Sequence, residues 1–476
     1  MPRPAKSPEL PFNSAREIFR WGPVPGKFLY VSVFTQVQYQ DFRERYAENW
    51  SESIFLFKDG RMFFVSDHEA LSAVGRRVFL RYLLPDSRHA IYREWKTYVQ
   101  DLHRLEDEIE KEDMKTLSDE SLARAWDDFH AIYTKFWIAG SVPEIANYGS
   151  LPYLEEKLAS YIDEPRSRAD AFGVLTAPTE PSFYQKEEME LSKTTDVEHH
   201  QQKYFWLKNS YAGTSVLPVR FFKERKSELD SGLEQNVEKK LHAAKQDKEE
   251  TRKQFRLSEE VMNIAHAISD GIVWQDERKK HIFVALHYED VLVKEIARRL
   301  HHDFDALHTL WHSEISHMLR GKNLEKILET RKNGFGFKFF HTCRELSFEE
   351  AAYLWDVYEH GTHDAASTRV SGVVACKGDG RKVTGRARIV LDPSVADDFA
   401  GGDILLAPMT SPEYVFVMKK AGAIITDTGG LTSHAAIVSR ELNTLCIVGA
   451  KLATKVFKDG DQLEVDPIAG TATKVL

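Results

Sequence analysis

All nine tryptophans of this 476-residue chain, from Trp21 to Trp355, fall before residue 361, whereas 13 of its 26 glycines fall in the last 116 residues. One packing plan does not serve both halves. A Trp-rich, Gly-poor stretch suits long helices around aromatic cores or pockets, and a Gly-rich stretch studded with Val and Ile suits short strands and tight turns. The length allows about two to four domains. The expected fold class is multidomain α+β. A flexible tail (1–12) leads into a mainly α-helical domain (13–360). A linker (361–371) with Gly361, Ala365, Ala366, Ser367 and Ser371 then precedes a small α/β domain (372–476).

Local patterns fill in this plan. Leu122, Trp126, Phe129, Tyr133 and Phe136–Trp137 recur at three- and four-residue spacing and predict a helix over 118–139, and a similar pattern covers 88–115. Residues 221–256 alternate Lys and Glu around few apolar anchors, which reads as a solvated helix or helical hairpin and not as a nucleic-acid arm. Helical periodicity resumes over 257–319. The exception is Ile54–Val65, where Asp59-Gly60 predicts the turn of a β-hairpin. Beyond the linker, strands are expected at Val383–Val390, Asp403–Ala407, Ala423–Thr426 and Leu445–Val448. One helix is expected from a Ser411 cap to about Lys420, and another ends near Leu442.

Composition narrows the function. The 64 Lys+Arg against 73 Asp+Glu give a net charge of −9, which argues against a dominant nucleic-acid role. No apolar run approaches a membrane span, and residues 1–8 lack the apolar core of a secretory signal. Cys343, Cys376 and Cys446 are dispersed and odd in number, so neither a disulfide framework nor a metal knuckle is expected, and the cytoplasm is the expected compartment.

The stretch Ile424–His434 concentrates the chemistry. It reads as strand, glycine turn and helix start. Gly429-Gly430 lets the backbone approach a ligand, Thr432 or Ser433 can cap the helix, and His434 then sits in the first turn among free backbone N–H groups that attract phosphates. The positive helix end disfavours imidazolium, so His434 is expected to be neutral and nucleophilic near pH 7. A neutral imidazole beside hydroxyls and unpaired amides is what a covalent phosphoryl carrier requires. On spacing alone, a capped helix whose histidine only packs or binds anions fits equally well.

The sequence Gly422-Ala423-Ile424-Ile425-Thr426-Asp427-Thr428-Gly429-Gly430-Leu431-Thr432-Ser433-His434-Ala435-Ala436-Ile437-Val438-Ser439-Arg440-Glu441 closely resembles the phosphohistidine motif of phosphoenolpyruvate-utilising enzymes. That group includes phosphoenolpyruvate synthase, pyruvate phosphate dikinase and rifampin phosphotransferase. Thr410-Ser411-Pro412-Glu413-Tyr414, Val448-Gly449, Asp459-Gly460-Asp461 and Val465-Asp466 agree as flanks, so the resemblance covers about residues 368–476. It implies a swivelling β/β/α phosphohistidine domain in which His434 is phosphorylated and dephosphorylated. Gly429, Gly430, Thr432 and Ser433 would cradle the phosphate, with Asp427 and Arg440 in support. One departure is Ala375-Cys376-Lys377-Gly378, where the family has Ala-Ser-Pro-Gly; Cys376 reads as a tolerated small side chain.

The resemblance further implies an ATP-dependent phosphotransferase that forms a pyrophosphoryl intermediate and yields AMP and phosphate, with Mg2+ accompanying the nucleotide. Residues 1–360 show no Gly-rich loop of an ATP-grasp site and no pyruvate barrel is expected, so ATP is expected on a separate ATP-grasp subunit. The 274–279 and 296–315 stretches are more weakly similar to the substrate-binding helices of rifampin phosphotransferase-like proteins. Arg278 and Glu314 are therefore candidate residues for a small-molecule acceptor, with solvent-facing charges as the alternative. The competing reading of the chain is a non-catalytic regulatory or scaffolding relative. His308 and His312, four residues apart, lack a His-Glu-x-x-His signature and no metal site is expected; His199-His200 is expected at the surface. Trp126, Phe136, Trp137, Tyr204, Phe205 and Trp206 are expected to pack the core or line an apolar pocket.

Overall fold

A computed structural model of the chain describes residues 12, 17–48, 50–229, 232–339, 342–360, 368–396, 398–431 and 433–475. The expected helices are present as Pro85–Lys111 and Asp119–Gly140, and the charged stretch forms the pair Val219–Glu228 and Leu233–Phe255. The expected 257–319 periodicity resolves into one helix of 42 residues, Glu259–Leu300, followed by two short ones. Ser258 starts the long helix by accepting from the Val261 amide, and His301 ends it in the left-handed region. Apolar side chains cover most of its circumference, so it runs through the middle of the helical domain instead of lying on its surface. Among the described residues no helix is long and apolar enough to cross a membrane.

The helical region also holds a five-stranded antiparallel sheet where only a hairpin was expected. Its strands are β1 (Ile18–Pro25), β2 (Ser53–Lys58), β3 (Arg61–Asp67), β4 (Phe335–Phe339) and β5 (Cys343–Glu345), in the order β1-β3-β2-β4-β5. The hairpin β2–β3 turns at Asp59-Gly60, both at positive φ, and β4 then pairs with β2 through Phe57 opposite Phe335. Alternation splits the strands between two cores. Phe55, Phe57 and Phe64 face the main helical core, while Ile54, Leu56, Phe63 and Val65 pack under the helix Phe348–His360. Phe12, expected in a flexible tail, is buried in that second cluster. The rest of residues 1–12 and positions 361–367 of the expected linker lie outside the described residues.

The remaining strands are β6 (Arg369–Ser371), β7 (Val373–Cys376), β8 (Val383–Ile389), β9 (Ile404–Ala407), β10 (Ala423–Thr426), β11 (Leu445–Val448), β12 (Gln462–Asp466) and β13 (Thr471–Lys474). They form one eight-stranded sheet, β6-β13-β12-β8-β9-β10-β11-β7, which therefore starts inside the stretch assigned to the linker. Strands β8 to β11 are mutually parallel. Ile404, Leu406, Ile425 and Ile447 pack on Val370, Leu463, Val465 and Ala472, so one half of the sheet folds over the other. The opposite face (Leu405, Ala407, Ile424, Cys446) packs against the helix His434–Leu442, completing a β/β/α layering. The helix expected from Ser411 to Lys420 is instead a 3₁₀ turn, Pro412–Tyr414, and one α-turn, Val415–Met418. The Ser411 hydroxyl donates to the Glu413 carboxylate at 2.5 Å instead of capping the backbone, and the Tyr414 hydroxyl donates to the Val390 and Leu391 carbonyls, which pulls the turn onto the sheet.

Candidate functional site

Parallel pairing of β9 and β10 brings the loops that follow them to one edge. The Thr428 amide and hydroxyl both donate to the Pro408 carbonyl, at 2.9 and 3.0 Å, which ties the two loops together. Gly429 then turns the chain at φ +109°, where a Cβ would lie 3.0 Å from Ser433 Cβ and Oγ. That position requires glycine. Gly430 is different: a Cβ there would meet nothing within 4 Å, so the second glycine leaves open space beside the turn. Ser433 is the N-cap, its hydroxyl accepting from the Ala436 amide, and His434 is the first helical residue. Thr432 lies outside the described residues.

His434 Nδ1 is 2.9 Å from the hydroxyl of Thr410, a residue of the loop after β9. This leaves Nε2 as the ring nitrogen without a bonded protein partner among the described residues. Burial pushes the imidazole down to about 3, and the Lys279 ammonium adds to the effect. The neutral state expected from the helix end is thus produced mainly by desolvation. Asp427 and Arg440 are both engaged by neighbouring backbone and side chains. Asp427 accepts from the amide and hydroxyl of Thr454, with burial raising its pKa. Arg440 donates to the carbonyls of Leu431 (2.6 Å) and Ala375 (3.1 Å), and its guanidinium lies against Gly173 of the helix Pro165–Thr176. The departing loop has its own contacts: the Gly378 amide donates to Cys376 Sγ, and Lys377 pairs with Asp170 at 3.1 Å.

His434 faces a cavity of about 640 Å³ between the two domains. The long helix lines it with Gln275, Asp276, Arg278, Lys279 and Ile282, the side chains of one face at three- and four-residue spacing. Arg278 donates to the Gly140 carbonyl at 2.5 Å, pairs with Glu144 and lies 5.1 Å over the Trp137 ring. The solvent-facing alternative for Arg278 is therefore corrected: the side chain is buried. Asp276 accepts from the Phe183 amide at 2.8 Å, and burial raises it to about 7. Lys279 has no hydrogen-bond or ion-pair partner among the described residues, and burial lowers its pKa. Its contribution was legible only as part of the 274–279 stretch, and Thr410 only as a flank.

Other expectations resolve differently. Glu314 does not reach the cavity. It pairs at 2.6 Å with the buried Arg331, which Glu345 also holds, and it caps its own helix through the Trp311 amide. His200, expected at the surface, is buried with Nε2 2.9 Å from Glu187, because the helix Val197–Tyr204 turns it onto the helix Phe183–Lys193. His308 follows the short helix Phe304–Leu307 as its C-cap and His312 opens the next, His312–Leu319; His308 bonds Asp290 and His312 bonds Ser32. Of the six aromatics singled out, Trp137 lines the cavity; Trp126 is core, donating to the His312 carbonyl.

The docked arrangement has defined contacts. Lys419 pairs with Glu188, Lys240 donates to the Glu441 carbonyl at 2.8 Å, and Gln185 donates to the Glu441 carboxylate at 3.2 Å. Phe416 meets Tyr184 and Phe221 edge-on, at 5.8 and 6.2 Å between centroids, under the Arg225 guanidinium at 5.3 Å.

The family profile described as "PEP-utilising enzyme, mobile domain" matches residues 399–470. Residues 399–470 are thus similar to the mobile domain of PEP-utilising enzymes. Relatives agree over the same region. The phosphoenolpyruvate synthase of Pyrococcus furiosus is 46% identical over 111 residues, which are 23% of this chain and 13% of that one. The phosphoenolpyruvate synthase of Aquifex aeolicus is 47% identical over 87 residues (18% and 10%). The uncharacterised phosphotransferase YvkC of Bacillus subtilis is 40% identical over 106 residues (22% and 12%). The chain thus matches about an eighth of the length of these relatives, through its mobile domain. A solved structure of Thermococcus kodakaraensis aconitase X overlaps 23% of this chain and 100% of that one, at 19% identity and a TM-score of 0.19, too low to indicate a shared fold.

Proposed function

We propose that the chain is the phosphocarrier component of an ATP-dependent phosphotransferase, in which His434 receives a phosphoryl group and passes it to an acceptor held by the helical domain. The observation that carries this reading is a neutral, hydroxyl-oriented imidazole at the wall of a cavity built mostly by another domain. With Nδ1–H donated to Thr410, Nε2 keeps its lone pair for attack on phosphorus. In the second half-reaction the N–P bond at His434 breaks, an O–P bond to the acceptor hydroxyl forms, and the hydroxyl proton goes to the Asp276 carboxylate. Lys279 supplies positive charge where the phosphoryl group travels, which a loose phosphoryl-transfer transition state rewards.

The docked state serves the acceptor. The nucleotide would bind a separate ATP-grasp subunit, and the mobile domain would travel between the two sites about the expected linker. Mg2+ would arrive as the nucleotide's complex. The test supplies the chain with the ATP-grasp protein of the same genome, Mg2+ and ATP. In the first half-reaction His434 would attack the β-phosphorus of ATP, releasing AMP, and the pyrophosphoryl group formed would lose its terminal phosphate to water to leave phosphohistidine; AMP formation should therefore depend on both proteins and vanish in His434→Ala. AMP formation at the wild-type rate in His434→Ala would overturn the reading.

A further inference from the structure

We infer that the acceptor is an uncharged hydroxyl compound with an apolar, aromatic-sized body, a phenol or a hydrophobic alcohol, and not a small carboxylate. The inference rests on His434 as the phosphoryl donor for the word acceptor, but the binding claim stands on the cavity alone. One part of its wall is built from Phe19, Trp21, Phe34, Phe64, Trp137 and Tyr148, with Phe34 tilted at 39° and 4.7 Å from Trp137 and Phe19 edge-on at 5.1 Å to Tyr148. A volume near 640 Å³ is that of a pocket for a drug-sized molecule, far more than a three-carbon acid fills.

Charge points the same way. Five carboxylates line the cavity (Glu144, Glu180, Glu188, Asp276 and Glu441) against four cations (Lys240, Arg278, Lys279 and Lys419). Three of those cations are already engaged: Arg278 by Glu144 and the Gly140 carbonyl, Lys419 by Glu188, and Lys240 by the Glu441 carbonyl. The fourth, Lys279, lies on the His434 side of the cavity, within electrostatic reach of that ring, and is needed by the phosphoryl group. An anionic acceptor would therefore enter a desolvated space whose cations are already engaged, without a counter-cation of its own, which is unfavourable.

Uncharged oxygen functions, by contrast, have partners waiting. Gln38, Trp137 and Arg278 all line the cavity and are each more than nine-tenths buried. Gln38 Oε1 and Arg278 Nε have no hydrogen-bond partner among the described residues, whereas Trp137 Nε1 has the Tyr133 hydroxyl beside it. One acceptor and one donor in an aromatic wall suit a molecule carrying hydroxyl, ether or carbonyl oxygens, because an unpaired buried polar group is costly until a ligand satisfies it.

The test measures binding without phosphoryl transfer, by quenching of tryptophan fluorescence in the full chain, since Trp21 and Trp137 line the site. The probes are 2-naphthol, 2-naphthoate and pyruvate, each titrated into wild type, His434→Ala, Gln38→Leu and Trp137→Phe. Saturable 2-naphthol binding at least tenfold tighter than 2-naphthoate or pyruvate, kept in His434→Ala and weakened three- to tenfold in Gln38→Leu or Trp137→Phe, supports the inference. Tighter binding of either carboxylate, or 2-naphthol affinity unchanged in both wall variants, overturns it. Circular dichroism of the two wall variants separates lost binding from lost folding. Because His434→Ala cannot carry phosphate, failure of the carrier reading leaves this result unaffected, and the converse also holds.

Discussion

Lys279→Met separates what the cavity does from what keeps it folded. The half-buried ammonium has no bonded partner among the described residues, and burial lowers its pKa more than Glu413 and Glu144 raise it, so the folded protein bears a net desolvation cost at this position. Methionine keeps the length of the side chain and removes the charge. Stability should therefore not fall, and a gain of about 1 kcal/mol is in line with replacing buried charge by apolar volume. Transfer should respond in the opposite direction. A hydrogen bond to a charged group is worth about 1.5–3 kcal/mol, and losing it from the transferring phosphoryl group slows the step by roughly 10- to 150-fold. Nucleophile protonation does not explain such a loss, because burial is the larger cause holding His434 near 3 and it persists in the variant. The assay is single-turnover decay of the phosphorylated chain with acceptor, beside a thermal melt. Transfer within twofold of wild type, or a melt lowered by several degrees, would refute the reasoning.

Three further outcomes follow from the same geometry. Asp276 and Glu441, across the docking interface, are both raised to about 7, chiefly by burial, with Gln185, Lys186, Lys279, Lys240 and Lys419 around them. A carboxyl raised in the docked state favours docking while protonated, so docking should weaken as pH climbs from about 4 to 7 and level off above; Asp276→Asn with Glu441→Gln should flatten the profile in an interdomain fluorescence-transfer assay. Gly429→Ala forces a Cβ to 3.0 Å from Ser433 at φ +109°, a strain of about 1–3 kcal/mol, and should slow phosphorylation of His434 while far-ultraviolet circular dichroism stays unchanged. Phe416→Ala removes two edge-on contacts, each worth about 0.5–1.5 kcal/mol, and should raise the radius of gyration in small-angle scattering; an unchanged radius would count against the docking contacts.

The mobile domain was readable because its signals are local. Gly429, the Ser433 cap and the short Val/Ile strands each impose their conformation within a few residues, and the family motif runs through all of them. The five-stranded sheet was not readable, because β4 pairs with β2 from nearly 280 residues away and nothing near Phe335 announces that partner. The site divided in the same manner. His434 and its turn were legible, but Lys279 and the aromatic wall come together only through tertiary packing, and Glu314 was drawn off by Arg331, whose pairing no spacing reveals. His200 went astray for a related reason: a charged neighbourhood in sequence concealed a buried hydrogen bond with Glu187.

The central claim is tested most directly by the chemistry of the bond made at His434. Incubated with the ATP-grasp partner, Mg2+ and ATP, the chain should gain a phosphoryl group that is labile in acid and stable in base. Base stability distinguishes a phosphoramidate from an acyl phosphate on Asp427, and acid lability distinguishes it from an ester on Ser433 or Thr432. Mass spectrometry should place the group on the peptide containing His434, and a chase with acceptor should remove it. An acid-labile phosphoryl group that persists in His434→Ala, or a label stable in acid, would contradict the account.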